Sequence, residues 1–186
     1  FVFNAIMPEK VVMQGVEIQL LRMEFVDLKR ALFATRFDVA KASFYAALQL
    51  ADQRQFRPVG AALGTGVGPL LLAAESGCTP SNRHQVTLCP GAHTTATLLF
   101  QLFFGSTRVE QVVFSEIKPA LQQGRADFGV CIHEGRFTYQ DAGLFLVEDL
   151  GQRWESATGC MVPLGGLLVR RELPAEVTAR VRSVIR

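Results

Sequence analysis

Cysteine and clustered charge are scarce in this sequence, and each scarcity argues against a class of protein. The four cysteines, Cys78, Cys89, Cys131 and Cys160, form no CxxC pair, which disfavours a zinc site or a disulfide framework and favours a reducing cytoplasm. The net charge is only +2, and there is no run of Lys and Arg, so we expect no nucleic-acid partner. No apolar stretch approaches the roughly 20 residues that span a bilayer, so we expect no membrane segment.

Familiar catalytic motifs are also missing. There is no serine nucleophile elbow, no HExxH metal motif and no Walker loop. The segment Gly64–Gly68 superficially suggests a nucleotide loop, but Pro69 and an apolar run follow it where a dinucleotide site requires a helix. The chain begins with Phe1 rather than Met, so its natural start is expected to lie upstream, and the absence of a basic-then-apolar leader therefore says little about targeting.

What is present is an alternation of short apolar runs with amphipathic stretches, and this alternation predicts an α/β fold. Capping residues predict helices that begin after Asp27, Ser43, Thr94 (or His93), Ser115 and Pro174. The apolar runs predict strands at Val16–Leu21, Phe37–Ala40, Gln55–Ala62, Pro69–Ala74, Gln85–Leu88, Val109–Phe114, Ala126–Ile132 and Met161–Arg170.

A weak internal repeat bears on the architecture. The pattern that runs from Lys29 to Asp38 recurs from Lys118 to Asp127, and both copies are predicted to lie on a helix that leads into a strand. A break rich in Ser, Gly, Pro and Asn separates them at Glu75–Arg83. Any helix-to-strand connection can produce such a pattern, and two similar α/β lobes would produce it as well. Two lobes would leave a cleft in which a ligand could bind.

Three predicted strand ends carry polar residues, and strand ends are where open α/β sheets bind ligands. At the first, Ser43 can cap a helix, and Lys41 adds a positive charge beside free backbone N–H groups that would suit a carboxylate. An ordinary helix cap with a solvated lysine explains the same residues. At the second, Thr94 and Thr95 start a helix after a glycine turn, and one threonine would suffice as a cap.

The third strand end carries His133, directly after a strongly apolar strand. A histidine there would be partly desolvated and suited to abstract a proton near neutral pH, although a lone histidine is more often structural. Glu134 and Arg136 could form a surface ion pair, and Tyr139 could serve packing.

Several stretches together resemble the 1,4-dihydroxy-6-naphthoate synthase family of the futalosine route to menaquinone. The most specific is the His-Glu-Gly-Arg-Phe-Thr-Tyr run at 133–139. The others are Ala62–Leu70, Pro90–Ala96, Asp149-Leu150-Gly151 with Trp154-Glu155, Thr158-Gly159 and Val162–Gly166. The resemblance covers nearly the whole chain. Members of that family begin with a Ser-Pro-Cys-Pro-Asn-Asp-like stretch ahead of Phe1 and continue well past Arg186, so we expect this chain to lack both ends.

The resemblance implies a fold like that of the type II periplasmic binding proteins, with two α/β lobes and a central cleft. It places lobe 1 at residues 1–84 and 162–186 and lobe 2 at residues 85–161. It implies a lyase, without metal or organic cofactor, that converts the small carboxylate cyclic dehypoxanthine futalosine to 1,4-dihydroxy-6-naphthoate. His133 would be the general base, and Lys41, Ala42, Ser43, Thr94 and Thr95 would bind substrate. Chorismate dehydratase of the same pathway and a non-catalytic solute-binding protein remain the alternatives.

Overall fold

The computed structural model describes residues 31–34 and 36–185, within which eight strands and six complete helices alternate along the chain. In order they are β1 (Val39–Ser43), α1 (Phe44–Gln49), β2 (Arg54–Gly64), β3 (Leu70–Ala73), β4 (Val86–Cys89), α2 (Thr95–Phe104), β5 (Arg108–Gln111), α3 (Phe114–Gln122), β6 (Phe128–Cys131), α4 (Gly135–Thr138), β7 (Phe145–Asp149), α5 (Leu150–Thr158), β8 (Val162–Arg170) and α6 (Ala175–Ile185). The strand predicted at Val16–Leu21 and the cap predicted at Asp27 lie outside the described residues.

The helix starts that depend on local capping are confirmed. Ser43 caps α1 by accepting a hydrogen bond from the N–H of Ala46 at 3.0 Å, and Thr94 caps α2 in the same way. The cap predicted at Ser115 is wrong: β5 ends at Gln111, and α3 starts at Phe114 after Val113, whose side chain makes no cap bond. The apolar run Val109–Phe114 therefore combines a short strand with a helix start, because an apolar run does not by itself distinguish the two.

The chain divides into two compact units. Unit 1 comprises residues 1–62 and 165–186, and unit 2 comprises residues 63–164. This division differs from the predicted lobes at both boundaries. Residues 63–84 belong to unit 2, in which β3 pairs with β6 and β7, and unit 2 ends at residue 164 rather than at residue 161. The Glu75–Arg83 break is a loop inside unit 2.

Unit 2 is built on a five-stranded sheet with the order β5-β4-β6-β3-β7. Strand β4 runs parallel to β5 and β6, whereas β3 runs antiparallel to β6 and β7. Successive residues of β3 face opposite sides, so Leu71 packs in a cluster with α2, and Leu72 packs in a second cluster with α3. Helices on both faces explain why β3 and β6 are apolar at every position.

Unit 1 contains the strand order β1-β8-β2. Strands β1 and β8 are antiparallel, with Ala42 opposite Gly166 and Ser43 opposite Gly165. A Cβ at Gly165 would lie 2.5 Å from the carbonyl oxygen of Ala42, so only glycine permits this approach. The Gly165-Gly166 pair of the predicted family stretch thus has a packing role beside β1.

A buried arginine stabilises the start of the described chain in unit 1. Arg54 is 1% exposed, and its guanidinium donates to the carbonyl of Phe37 at 2.6 Å and to that of Leu32 at 3.3 Å. Burial, with the positive charge of Arg170, lowers the pKa of Arg54, while Asp38 acts in the opposite direction. The two carbonyl contacts compensate part of the cost of burying this charge.

Candidate active site

His133 occupies a strained turn directly after the buried strand β6. Its φ of 55° is the only positive φ among the described non-glycine residues. Left-handed backbone costs free energy in a residue with a Cβ, and such conformations are concentrated at functional sites. The turn closes with hydrogen bonds from the N–H of Gly135 to the carbonyl of Ile132 and from the N–H of Arg136 to the carbonyl of His133, each 3.2 Å long. The tertiary structure therefore holds His133 in a conformation that its own preferences disfavour.

The imidazole of His133 is more accessible than the sequence predicted. The residue is exposed rather than partly desolvated, because it lies beyond the end of the buried strand. Its ring makes an edge-on contact with Phe114, the first residue of α3, with the ring centroids 5.5 Å apart. An edge-to-face contact of this kind favours one orientation of the ring. Phe114 was missed in the sequence because the run before it suggested a strand.

Thr94 is buried, and its hydroxyl already has internal partners. Its Oγ1 accepts from the N–H of Thr97 at 3.1 Å and lies 2.8 Å from the carbonyl oxygen of Gly91, to which it can donate. Thr94 therefore acts as the cap of α2. A hydroxyl oxygen has two lone pairs, so Thr94 keeps little capacity for a further partner.

Thr95 is 7% exposed and donates to the carbonyl oxygen of Pro163 at 2.9 Å. This bond joins the start of α2 to β8, so two of the stretches that carry the family resemblance meet within unit 2. An anionic ligand would require donors, and Thr95 would have to exchange its bond to Pro163 to supply one from its side chain. The backbone N–H groups of Thr95 and Ala96 lie in the first turn of α2, where a helix provides no carbonyl acceptor for them.

Lys41, Ala42 and Ser43 lie in unit 1. Lys41 is exposed on β1, Ala42 is buried against β8, and Ser43 is the buried cap of α1. The structure thus places the candidate residues in both units: Thr94, Thr95 and His133 belong to unit 2, and Lys41–Ser43 to unit 1.

Arg136 forms a partly buried ion pair with Asp149, whereas the sequence suggested a surface ion pair with Glu134. Its guanidinium donates to Asp149 Oδ2 at 2.5 Å, and the two side chains are only 18% and 15% exposed. Burial alone would raise the pKa of Asp149. The hydrogen bond from Arg136 and those from the N–H groups of Gln152 and Gly151 outweigh burial, so that the pKa of Asp149 lies below its usual range. Asp149 thereby remains a carboxylate that both pairs with Arg136 and caps α5.

The Gly64–Gly68 loop has a packing role in unit 2. A Cβ on Gly68 would lie 2.7 Å from Cα of Gly151, and a Cβ on Gly151 would lie 2.3 Å from the carbonyl oxygen of Val67. The loop backbone therefore lies directly against the first turn of α5. Glycine at both positions permits this approach.

The four cysteines are free thiols, and two of them are buried. Burial raises the pKa of Cys89 and of Cys131 to about 12, against small opposing effects of a hydrogen bond from Thr97 and of the charge of Lys118, respectively. Neither thiol is therefore a nucleophile at neutral pH. No group of three His, Cys, Asp or Glu residues within the described chain is arranged to hold a metal ion.

A groove of about 450 Å³ lies on unit 1, and none of the candidate residues lines it. Its lining includes four arginines, Arg57, Arg170, Arg171 and Arg182. Among the residues that the structure describes, no helix is long and apolar enough to cross a membrane.

Comparison with known proteins agrees with this architecture. The ligand-binding component of an ABC-type import system from Staphylococcus aureus matches 98% of this chain and 65% of its own, with a TM-score of 0.66 at 12% identity. Protein AF1704 from Archaeoglobus fulgidus matches 99% of this chain and 68% of its own, with a TM-score of 0.88 at 30% identity. The predicted fold class is confirmed: the chain has a periplasmic-binding-protein-like α/β fold.

Sequence relatives identify the family. The model of a family described as menaquinone biosynthesis matches residues 1–186. The 1,4-dihydroxy-6-naphthoate synthase of Streptomyces coelicolor is 39% identical over 155 residues, which are 80% of this chain and 54% of that enzyme. The synthase of Thermus thermophilus is 36% identical over 173 residues, 93% of this chain and 62% of that enzyme. The chain belongs to the menaquinone biosynthesis family, and it spans just over half the length of these curated relatives.

Proposed function

We propose that the protein containing this chain is a 1,4-dihydroxy-6-naphthoate synthase, a carbon–carbon lyase of menaquinone biosynthesis. Its substrate would be cyclic dehypoxanthine futalosine, a small carboxylate. Two observations together support the proposal. The relatives with this name match most of the chain, and the most specific stretch of the resemblance begins at His133, the described residue with a left-handed, non-glycine backbone.

His133 is the general base in this proposal. An exposed imidazole at a strand end can reach a bound substrate, and the contact with Phe114 favours one orientation of its ring. Removal of an acidic proton beside a substrate carbonyl would start the cleavage, and aromatisation of the product would drive it. A positioned base of this kind contributes about 10²- to 10⁴-fold to the rate.

Substrate binding is assigned to residues of both units. Thr94 and Thr95 stand at the start of α2, where the first-turn N–H groups and the helix dipole favour an anion such as the substrate carboxylate. Lys41, Ala42 and Ser43 would contact the substrate from β1 and the start of α1, with Lys41 supplying a positive charge. We further propose that the reaction takes place in the cytoplasm, where the four free cysteines would remain reduced.

The test is turnover of cyclic dehypoxanthine futalosine by the full-length protein, beside His133→Ala and His84→Ala variants whose folding is checked by circular dichroism. His84 is a matched control, because it is also an exposed histidine of unit 2. We expect product from the parent, unchanged turnover from His84→Ala, and a loss of about 10²-fold or more from His133→Ala.

Each other outcome has a defined meaning. A folded parent that binds the substrate without product formation would support the solute-binding alternative, and one that dehydrates chorismate instead would support the other enzyme of the pathway. Full activity in His133→Ala would remove His133 as the base while leaving the synthase assignment intact.

A further inference from the structure

Arg136 joins three segments of unit 2 through one side chain. Its Nη1 donates to the carbonyl of Gly68 at 3.1 Å, and its Nη2 donates to the carbonyl of Gly66 at 3.2 Å and to Asp149 Oδ2 at 2.5 Å. Its backbone N–H closes the turn on the carbonyl of His133 at 3.2 Å. The same residue therefore connects the histidine turn, the Gly64–Gly68 loop and the cap of α5.

Two of the three partners of Arg136, Asp149 and Gly66, are also held by other hydrogen bonds. Oδ1 of Asp149 accepts from the N–H groups of Gly151 and Gln152, each at 3.0 Å, in the cap of α5. The loop is also held by Glu155, whose Oε1 accepts from the N–H of Gly66 at 2.9 Å. The pair of Arg136 with Asp149 is mostly shielded from water and so less screened than an exposed pair.

The backbone of His133 requires such support. On its upstream side the turn follows β6, all of whose residues are buried. On its downstream side lies α4, a single turn of four residues, which is too short to be stable by itself. Two side chains of α4 connect it to other segments: the guanidinium of Arg136 makes the contacts given above, and Thr138 Oγ1 accepts a 2.7 Å bond from Lys118 Nζ. Of these two side chains, that of Arg136 is the nearer to His133 along the chain.

We propose that Arg136 is the positioning residue for the base: it anchors the downstream end of the histidine turn to the Gly64–Gly68 loop and Asp149, and so sets the direction of the His133 imidazole. This inference rests on the proposed function, because it assigns Arg136 a role through His133. A lysine ammonium would replace the planar fork only in part, since it cannot reach two carbonyls and a carboxylate in one plane.

The experiment measures kcat and KM of the full-length enzyme with Arg136→Met, Arg136→Lys and Glu148→Gln. Glu148 is the matched control: it precedes Asp149 on β7 and pairs with Arg153 at 3.3 Å in a half-exposed ion pair. We expect kcat to fall about 100-fold in Arg136→Met, because misplacement of a catalytic group by about 1 Å costs about 100-fold in rate. The fall in Arg136→Lys should be smaller, about 10-fold, because the lysine keeps the positive charge. KM should change less than about three-fold, and Glu148→Gln should behave as the parent.

A second readout separates positioning from general damage. If Arg136 acts through His133, Arg136→Lys should cause no further loss of residual activity in a His133→Ala background. Hydrogen exchange in the peptide 132–139 should be faster in Arg136→Met than in the parent and unchanged in Glu148→Gln, because the 133–136 turn loses its anchor.

Parental kcat in Arg136→Met, a change confined to KM, or an additive loss in the double variant would each overturn the inference. If the folded parent has no synthase activity, the proposed function fails, and the exchange measurement alone then tests whether Arg136 anchors the turn. Unchanged exchange in Arg136→Met would reject the anchor whatever the activity.

Discussion

Replacing Gly151 with alanine should destabilise the protein, although helix propensity predicts the opposite. Gly151 lies in the first turn of α5, and alanine is favoured over glycine in a helix by about 1 kcal/mol. In this fold, however, the added Cβ would lie 2.3 Å from the carbonyl oxygen of Val67 and 3.0 Å from Cα of Gly68. A carbon and an oxygen in contact stand more than about 3 Å apart, so the backbones would have to separate by roughly 1 Å.

That separation cannot occur freely, because the loop is held from two sides. The guanidinium of Arg136 donates to the carbonyls of Gly66 and Gly68, and the carboxylate of Glu155 accepts from the N–H of Gly66. Overpacking against backbone costs about 1 to 3 kcal/mol, and distorted hydrogen bonds add to it. We expect Gly151→Ala to lower the free energy of unfolding by about 3 kcal/mol, which outweighs the gain in helix propensity.

Urea denaturation of the full-length protein provides the assay, followed by fluorescence of Trp154. This tryptophan lies in the same helix and donates through Nε1 to the carbonyl of Met161 at 3.2 Å, so it reports on local unfolding. With a slope of about 3 kcal/mol/M, the midpoint should fall by about 1 M. Gln152→Ala is the control: the side chain is exposed in the same turn, and the change should be within about 0.5 kcal/mol. A midpoint for Gly151→Ala equal to or above that of the parent would refute the close approach of loop and helix.

Two further predictions concern buried groups. Because burial raises the pKa of Cys89 and Cys131 to about 12, both thiols remain protonated at neutral pH. A thiol reagent should therefore modify the exposed Cys160 first, as measured by peptide mass spectrometry. Rapid modification of either buried thiol in the native protein would contradict this packing. Arg54→Met leaves two backbone carbonyls without their donor and should lower stability in urea by about 2 to 4 kcal/mol, whereas a loss below about 0.5 kcal/mol would show that these contacts are dispensable.

The local pattern of the sequence was enough to predict most of the fold. A hydroxyl ahead of an amphipathic stretch predicts a helix start from neighbouring residues alone, and Ser43 and Thr94 are the caps of α1 and α2. The strand predicted at Gln55–Ala62 lies within β2, the one at Met161–Arg170 corresponds to β8, and α6 begins directly after Pro174. The resemblance then identified the family, because its motifs extend over nearly the whole chain.

Only the tertiary structure decided how these stretches meet. Arg136 pairs with Asp149, 13 positions away, and bonds to carbonyls of the glycine loop about 70 positions away, and no local pattern marks such partners. The left-handed backbone of His133 likewise depends on contacts made after folding, since its own preference opposes it. Sequence neighbours determine caps and strand alternation over a few residues, whereas a side chain with several backbone partners is placed by the packing of distant segments.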